Sequence, residues 1–114
     1  MIAQLHSYVG DVNEWEIVEA AHRFALLGDP TRLRILHTVI DRGELPVHAI
    51  ATAAGASRFN TSAHLNRLAA GGLVARRREG STVYYRVEDG RLVEICDLVC
   101  ASVRARAAAV AARQ

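Results

Sequence analysis

The chain contains no lysine; its fourteen basic side chains are all arginine. It is also short of proline (two), cysteine (two), tryptophan (one) and methionine (one) across 114 residues. The scarcity of cysteine closes off a class of protein. Two cysteines, Cys96 and Cys100, cannot build the disulfide framework of a small secreted domain. They lie four apart on a predicted helix, where a disulfide would be strained, so they read as free thiols or ligands. A hydrophobic fraction of 51% excludes a disordered chain. No apolar run reaches the roughly 18 residues that span a bilayer. No basic N-terminus leads into a long apolar core, so a cytoplasmic protein with no membrane partner is expected. A Gly-rich phosphate loop, a Ser-His-acid set and paired carboxylates are all missing, which leaves an enzyme without support. The length suits one domain over residues 1–114 and is too short for two.

What is present is unevenly spread. The formal net charge is only +2. Residues 1–30 hold five acids (Asp11, Glu14, Glu16, Glu19, Asp29) against Arg23. Residues 57–86 hold six arginines (58, 67, 76, 77, 78, 86) against Glu79. A compositional bias towards Arg and Ala accounts for the missing lysine but not for this clustering. A basic block in mid-chain suits a bound polyanion, and Arg suits bidentate contact to phosphate and to guanine.

The stretch Val47–Leu68 organises the rest. Ile50 and Ala51 start the apolar face of a short helix, and Gly55 stops it with a left-handed turn. Ser57 caps a second helix that carries Arg58, Asn60, Thr61, His64 and Arg67 and runs to about Ala70. Two short helices around a Gly turn, the second rich in hydrogen-bonding side chains, form a DNA-reading helix-turn-helix over about 47–70. Upstream, helical spacing runs from Glu14 to Leu27. After Gly28, Asp29 caps a helix that opens on Pro30 and ends near Asp41, and Glu44–Val47 is a short extended link. Downstream, Leu73–Arg78 and Val83–Val87 read as two strands around an Glu79–Thr82 turn, a wing over about 73–87. A helix over about 91–112 follows, with Leu92, Ile95, Cys96, Val99 and Val103 as its inner side. So small a domain cannot cover it, which makes the first and last helices the natural dimer surface. The expected fold is mainly α with a small β-hairpin wing: a winged helix-turn-helix of about five helices.

Several words in this order carry a resemblance. They are Phe24–Leu36 with its Gly28-Asp29-Pro30-Thr31-Arg32, Ser62-Ala63-His64-Leu65-Asn66-Arg67-Leu68, Gly71-Gly72-Leu73-Val74, and Glu79–Tyr85. Over residues 20–103 the chain resembles the ArsR/SmtB family of bacterial winged-helix repressors. The resemblance implies a homodimer on an inverted-repeat operator in double-stranded DNA, released by a metal or an oxidant in many members.

Candidate DNA contacts follow. Arg58 and Asn60 sit in the first turn of the reading helix, where Arg can take guanine and Asn adenine. Ser57 and Thr61 can donate to phosphate or base edges. Ser62 and His64 match family positions associated with DNA. Arg67 adds backbone charge, and Arg76, Arg78 and Ser81 belong to the wing. In a strand Arg76 and Arg78 share one face and Arg77 takes the other. Phe59 stands where the family commonly has proline, and a thymine methyl is one contact open to it.

Three sensor sites used by relatives are lost here. Pro46-Val47-His48-Ala49 replaces a Cys-x-Cys-Asp word. Asp89 survives beside Arg91, Ser102 and Ala105 in place of other ligands. Arg67 and Gly71 occupy cysteine positions of the reading helix. Cys96 and Cys100 remain, one turn apart, as packing residues, redox thiols or ligands. As ligands they would need help, first from His22 on the opening helix and then from His6, with His37 and His48 weaker candidates. Such a sulfur and nitrogen set suits nickel, zinc or arsenite. Two other readings stay open: an effector-independent DNA-binding regulator, and a winged helix recruited to bind protein.

Overall fold

The computed structural model describes residues 11–113. Its elements run α1 (Glu14–Leu27), α2 (Pro30–Arg42), β1 (Leu45–Pro46), α3 (Val47–Ala54), α4 (Arg58–Ala70), β2 (Ala75–Glu79), β3 (Thr82–Arg86) and α5 (Gly90–Ala112). Four of the five helix starts follow from a side chain able to accept from a free backbone N–H; α3 instead starts after Pro46 without a side-chain cap. Asn13 accepts from Glu16, Asp29 from Arg32, Ser57 from Asn60 and Asp89 from Arg91. The Asp29 carboxyl is held below its ordinary value chiefly by that backbone bond from Arg32. The same Arg32 returns its guanidinium to α1, donating to the Leu26 carbonyl at 2.7 Å and the Ala25 carbonyl at 3.3 Å. The Gly-Asp-Pro-Thr-Arg word is thus a hinge pin: it caps α2 and ties off α1.

One stripe of each central helix builds the core. Ile35, Leu36 and Val39 of α2 meet Ile50 of α3 and Leu65 and Leu68 of α4. Leu73, Val74, Tyr85, Leu92 and Cys96 close it. Gly55 stands at φ 68 between α3 and α4, a conformation that costs a side-chain-bearing residue far more. Its turn sets the angle between the two reading helices.

Two expectations for the wing are corrected. Leu73 and Val74 precede the strand rather than open it; both are buried and fill the core beneath α4. The turn is only Gly80-Ser81, since Glu79 pairs with Thr82. Gly80 has φ 63 while Ser81 has no positive φ, the pattern of a type II′ hairpin. The extended link also does more than connect. Leu45 pairs with Tyr85 and Pro46 with Tyr84, giving a three-stranded antiparallel sheet of order β1-β3-β2. Proline is tolerated there because β1 is an edge strand.

The outer helices overhang the core. No residue of α1 is buried, and α5 buries only Leu92 and Cys96. Ile95, Val99 and Val103, expected on its inner side, are exposed in the protomer; Ile95 and Val99 border open clefts against Phe24 and Leu27 of α1. The radius of gyration, 16.6 Å, reflects that overhang; a compact chain of this length would have about 13 Å.

Candidate nucleic-acid interface

Burial sorts the reading helix into faces. Thr61, Leu65 and Leu68 point inward. The exposed positions are Arg58, Phe59, Asn60, Ala63, Asn66, Arg67 and Ala70. Ser62 and His64 lie between, half-buried. One candidate contact is therefore corrected. Thr61 is 0% exposed, so its hydroxyl cannot reach DNA, and it has no hydrogen-bond partner among the described residues. The Nδ1 of His64 is likewise buried and unpaired. Ser57 accepts the Asn60 backbone N–H at 3.1 Å, which leaves its hydroxyl proton free to donate.

The exposed face carries Phe59, already noted in the sequence, and two residues that its motifs do not single out, Ala63 and Asn66. Phe59, Ala63 and Asn66 recur at spacings of four and three along the centre of that face. Phe59 is 83% exposed and offers an aromatic edge at the first turn. Ala63 leaves nothing to hold the helix off a groove floor. Asn66 accepts from the Tyr85 hydroxyl at 3.3 Å, keeping its amide N–H groups outward and linking helix to wing. The signal for Ala63 and Asn66 is periodicity counted from the buried Leu65 and Leu68 rather than residue chemistry.

The wing divides its arginines between two faces by register. Arg76 opposes Tyr85 and Arg78 opposes Val83 on one face. Arg77 opposes Tyr84 and Ala75 opposes Arg86 on the other. The second face is neutralised. Glu44 takes Arg77 at 2.7 Å and Arg86 at 3.3 Å, Glu79 takes Arg77 at 2.7 Å, and Glu88 takes Arg86. Arg77 also stacks 4.7 Å over the Tyr84 ring. Arg76 lies 5.9 Å over Tyr85, and neither it nor Arg78 has an ion pair among the described residues. The unpaired cations thus share the Tyr85 face, and Tyr85 joins that face to α4. Ser81 is exposed at the tip.

The two thiols differ. Cys96 is buried, and burial, then the neighbouring Cys100 and Asp97, push its thiol above the ordinary value. Cys100 is half-buried with its Sγ 3.9 Å from the His37 Nε2. A cavity of about 220 Å³ adjoins both, walled by Phe24, Leu33, His37 and Val99. His22 is exposed on α1 and takes no part in that wall, so within one protomer His37 is the nearer partner. His6 lies outside the described residues. Among the described residues no group of three His, Cys, Asp or Glu is arranged to hold a metal.

A capped three-helix core, a hairpin wing and an outward helix face define a winged helix-turn-helix. The profile of the MarR family matches residues 29–82, which run from the Asp29 cap through α2, α3, α4 and β2 to the first residue of β3. The uncharacterized HTH-type transcriptional regulator MJ1325 of Methanocaldococcus jannaschii is 38% identical over 81 residues, 71% of this chain and 91% of that protein. The cadmium resistance transcriptional regulatory protein CadC of Listeria innocua is 36% identical over 75 residues, 66% of this chain and 63% of that one. The homodimeric winged helix-turn-helix DNA-binding domain of Mb0332 from Mycobacterium bovis, a possible ArsR-family regulator, superposes with TM-score 0.72 at 34% identity. That match covers 83% of this chain and 89% of the solved fragment. The chain belongs to the ArsR/SmtB family of winged helix-turn-helix transcriptional regulators. Its relatives are regulators of transcription rather than enzymes. No helix among the described residues is long and apolar enough to cross a membrane.

The Glu44 network has a pH signature. The Arg77 hydrogen bond is the main cause that holds the Glu44 carboxyl below its ordinary value of 4.5. A lowered folded-state value means that its stabilising effect is complete above pH 4.5 and is lost as pH falls through the lowered value. Urea unfolding at a series of pH values below 4.5 should therefore show Glu44→Gln losing less stability than the unsubstituted chain. Equal losses would mean that the pairs do not persist in solution.

Proposed function

We propose that two copies of this chain form a homodimer that binds an inverted-repeat operator in cytoplasmic double-stranded DNA and regulates transcription. The observation that carries the reading is the join between α4's exposed face and the wing: Tyr85, whose ring lies under Arg76, donates its hydroxyl to Asn66 of α4. On this reading Asn60 offers an amide pair to adenine, Asn66 offers N–H donors to base-edge acceptors, and Phe59 offers an apolar contact to a thymine methyl. Arg67, Arg76, Arg78 and Ser81 supply phosphate contacts, and Ser57, Ser62 and His64 flank the groove-facing side. The first test is affinity for a duplex selected by the protein from random sequences. Binding should fall linearly in log affinity against log salt, and a scrambled duplex should bind more weakly. Binding to neither duplex would instead favour a module that recognises protein.

The dimer would form through α1 and α5. Trp15, Phe24, Leu98 and Val103 are 71, 62, 70 and 64% exposed, an apolar area too large for a lone protomer to leave in water. Leu98→Glu with Val103→Glu should convert a sedimenting dimer to monomer while the helical circular dichroism is kept. A dimer that survives both substitutions would place the interface elsewhere.

A second reading adds a thiophilic effector, for which CadC's name and the Cys100–His37 approach of 3.9 Å are the support. Nickel, zinc or arsenite would take Cys100, Cys96 and His37, with His22 of the other copy or His6 completing the set. Titration of the dimer with each metal should then give affinities reduced at least tenfold by Cys100→Ser and by His37→Ala. Unchanged affinity in both variants, or no binding, would leave a regulator without this switch.

A further inference from the structure

We infer that the cleft between the wing turn and the first turns of α3 and α4 seats one phosphodiester of the DNA backbone, and that Arg58 clamps this phosphate rather than reading a base. The inference rests on the DNA-binding reading above and divides the labour within it.

The cleft has a volume of about 210 Å³ and is walled by His48, Arg58, Ser81 and Thr82, with Pro46 and Val47 beside them. Its composition is one-sided. Its lining residues include an arginine, a histidine and two hydroxyl-bearing residues, and among the described residues no Asp or Glu lines it. The acids closest in the chain are already committed: Glu44 to Arg77 and Arg86, and Glu79 to Arg77. Arg58 has no ion pair, and neither its guanidinium nor the His48 ring has a hydrogen bond among the described residues. The Ser81 hydroxyl is exposed at the turn. A site with several donors and no internal acceptor charge is complementary to a compact anion.

Its walls come from three separate elements, and the fold holds them together. Pairing of Pro46 with Tyr84 ties the start of α3 to the strand that carries Thr82 and Val83. The Gly55 turn then brings the start of α4, and with it Arg58, against the same strand end. The cleft is therefore preformed and needs no loop to close. Among possible anions a duplex phosphate fits the position. The cleft lies at the junction of reading helix and wing, where a backbone must pass if α4 enters the major groove and the wing lies beside it.

An Arg that turns into this cleft is turned aside from base edges. Base reading then falls to the central stripe of Phe59, Asn60 and Asn66, which is exposed and free of the cleft. His48, in the first turn of α3, becomes a DNA contact although it lies outside the reading helix.

The test uses the full chain, a duplex it selects from random sequences, a scrambled duplex of equal length, and single neutral methylphosphonates walked along the selected one. Arg58→Ala should weaken both duplexes by the same factor and lower the slope of log affinity against log salt by about 1. His48→Ala should also weaken both equally. At one backbone position in each half-site, the methylphosphonate should weaken the unsubstituted chain but leave Arg58→Ala unaffected. Loss confined to the selected duplex would make Arg58 a base reader and overturn the inference. So would variants that bind as tightly as the unsubstituted chain. Failure of the unsubstituted chain to bind any duplex would instead sink the DNA-binding reading itself. Both side chains are exposed, so circular dichroism of the variants should match that of the unsubstituted chain.

Discussion

Burial of Leu65 and Leu68 sets the rotation of α4 about its own axis, and most of the molecule's chemistry follows from that angle. Both side chains are 0% exposed in a core shared with α2, α3 and Tyr85. Each core leucine of this kind contributes about 2–5 kcal/mol against truncation, enough to resist rotation of a thirteen-residue helix. Once that stripe is inward, the helical period places Phe59, Ala63 and Asn66 outward. The reading face is thus a consequence of packing on the opposite side. Thr61 pays for its position in the same stripe: it is enclosed with an unpaired hydroxyl.

The wing is set by a second constraint, the selective pairing of its charges. Six of the chain's arginines lie in the block from 57 to 86, and a bare cluster of that kind would repel itself. Glu44, Glu79 and Glu88 draw Arg77 and Arg86 to the face that carries Tyr84. These pairs are solvent-exposed and individually weak, so their effect is on direction more than on stability. They leave the Tyr85 face with the unpaired Arg76 and Arg78. The Tyr85 hydroxyl on Asn66 joins that face to the reading helix.

Helix identity, caps and the hairpin were legible in the sequence because each has a local cause: Asp29 before Pro30, Ser57 after Gly55, Gly80-Ser81 between alternating strands. What depends on distant contacts was not. The strand role of Leu45-Pro46 exists only because β3 lies beside it. Leu73 and Val74 look like a strand by composition but are drawn into the core under α4. Thr61 is polar by residue type, yet it shares the inward stripe of Leu65. Sequence spacing favours His22 over His37 because it does not show that α2 passes the middle of α5. The period of Ile95, Val99 and Val103 marks an apolar side of α5 that the protomer leaves exposed. A period says which side of a helix is apolar, not what covers it.

That uncovered stripe, continued by α1, ties the two halves of the account together. A single protomer presents one short reading helix, too little surface for a specific site, and its two exposed apolar helices are suited to bringing a second copy alongside. The central claim is that two reading units face the same side of one duplex. Hydroxyl-radical footprinting on the selected duplex tests it most directly. Two protected backbone patches per strand related by a two-fold axis are expected, with half-site centres one helical turn, roughly 34–36 Å, or a multiple of it apart. A single protected patch without symmetry would contradict it.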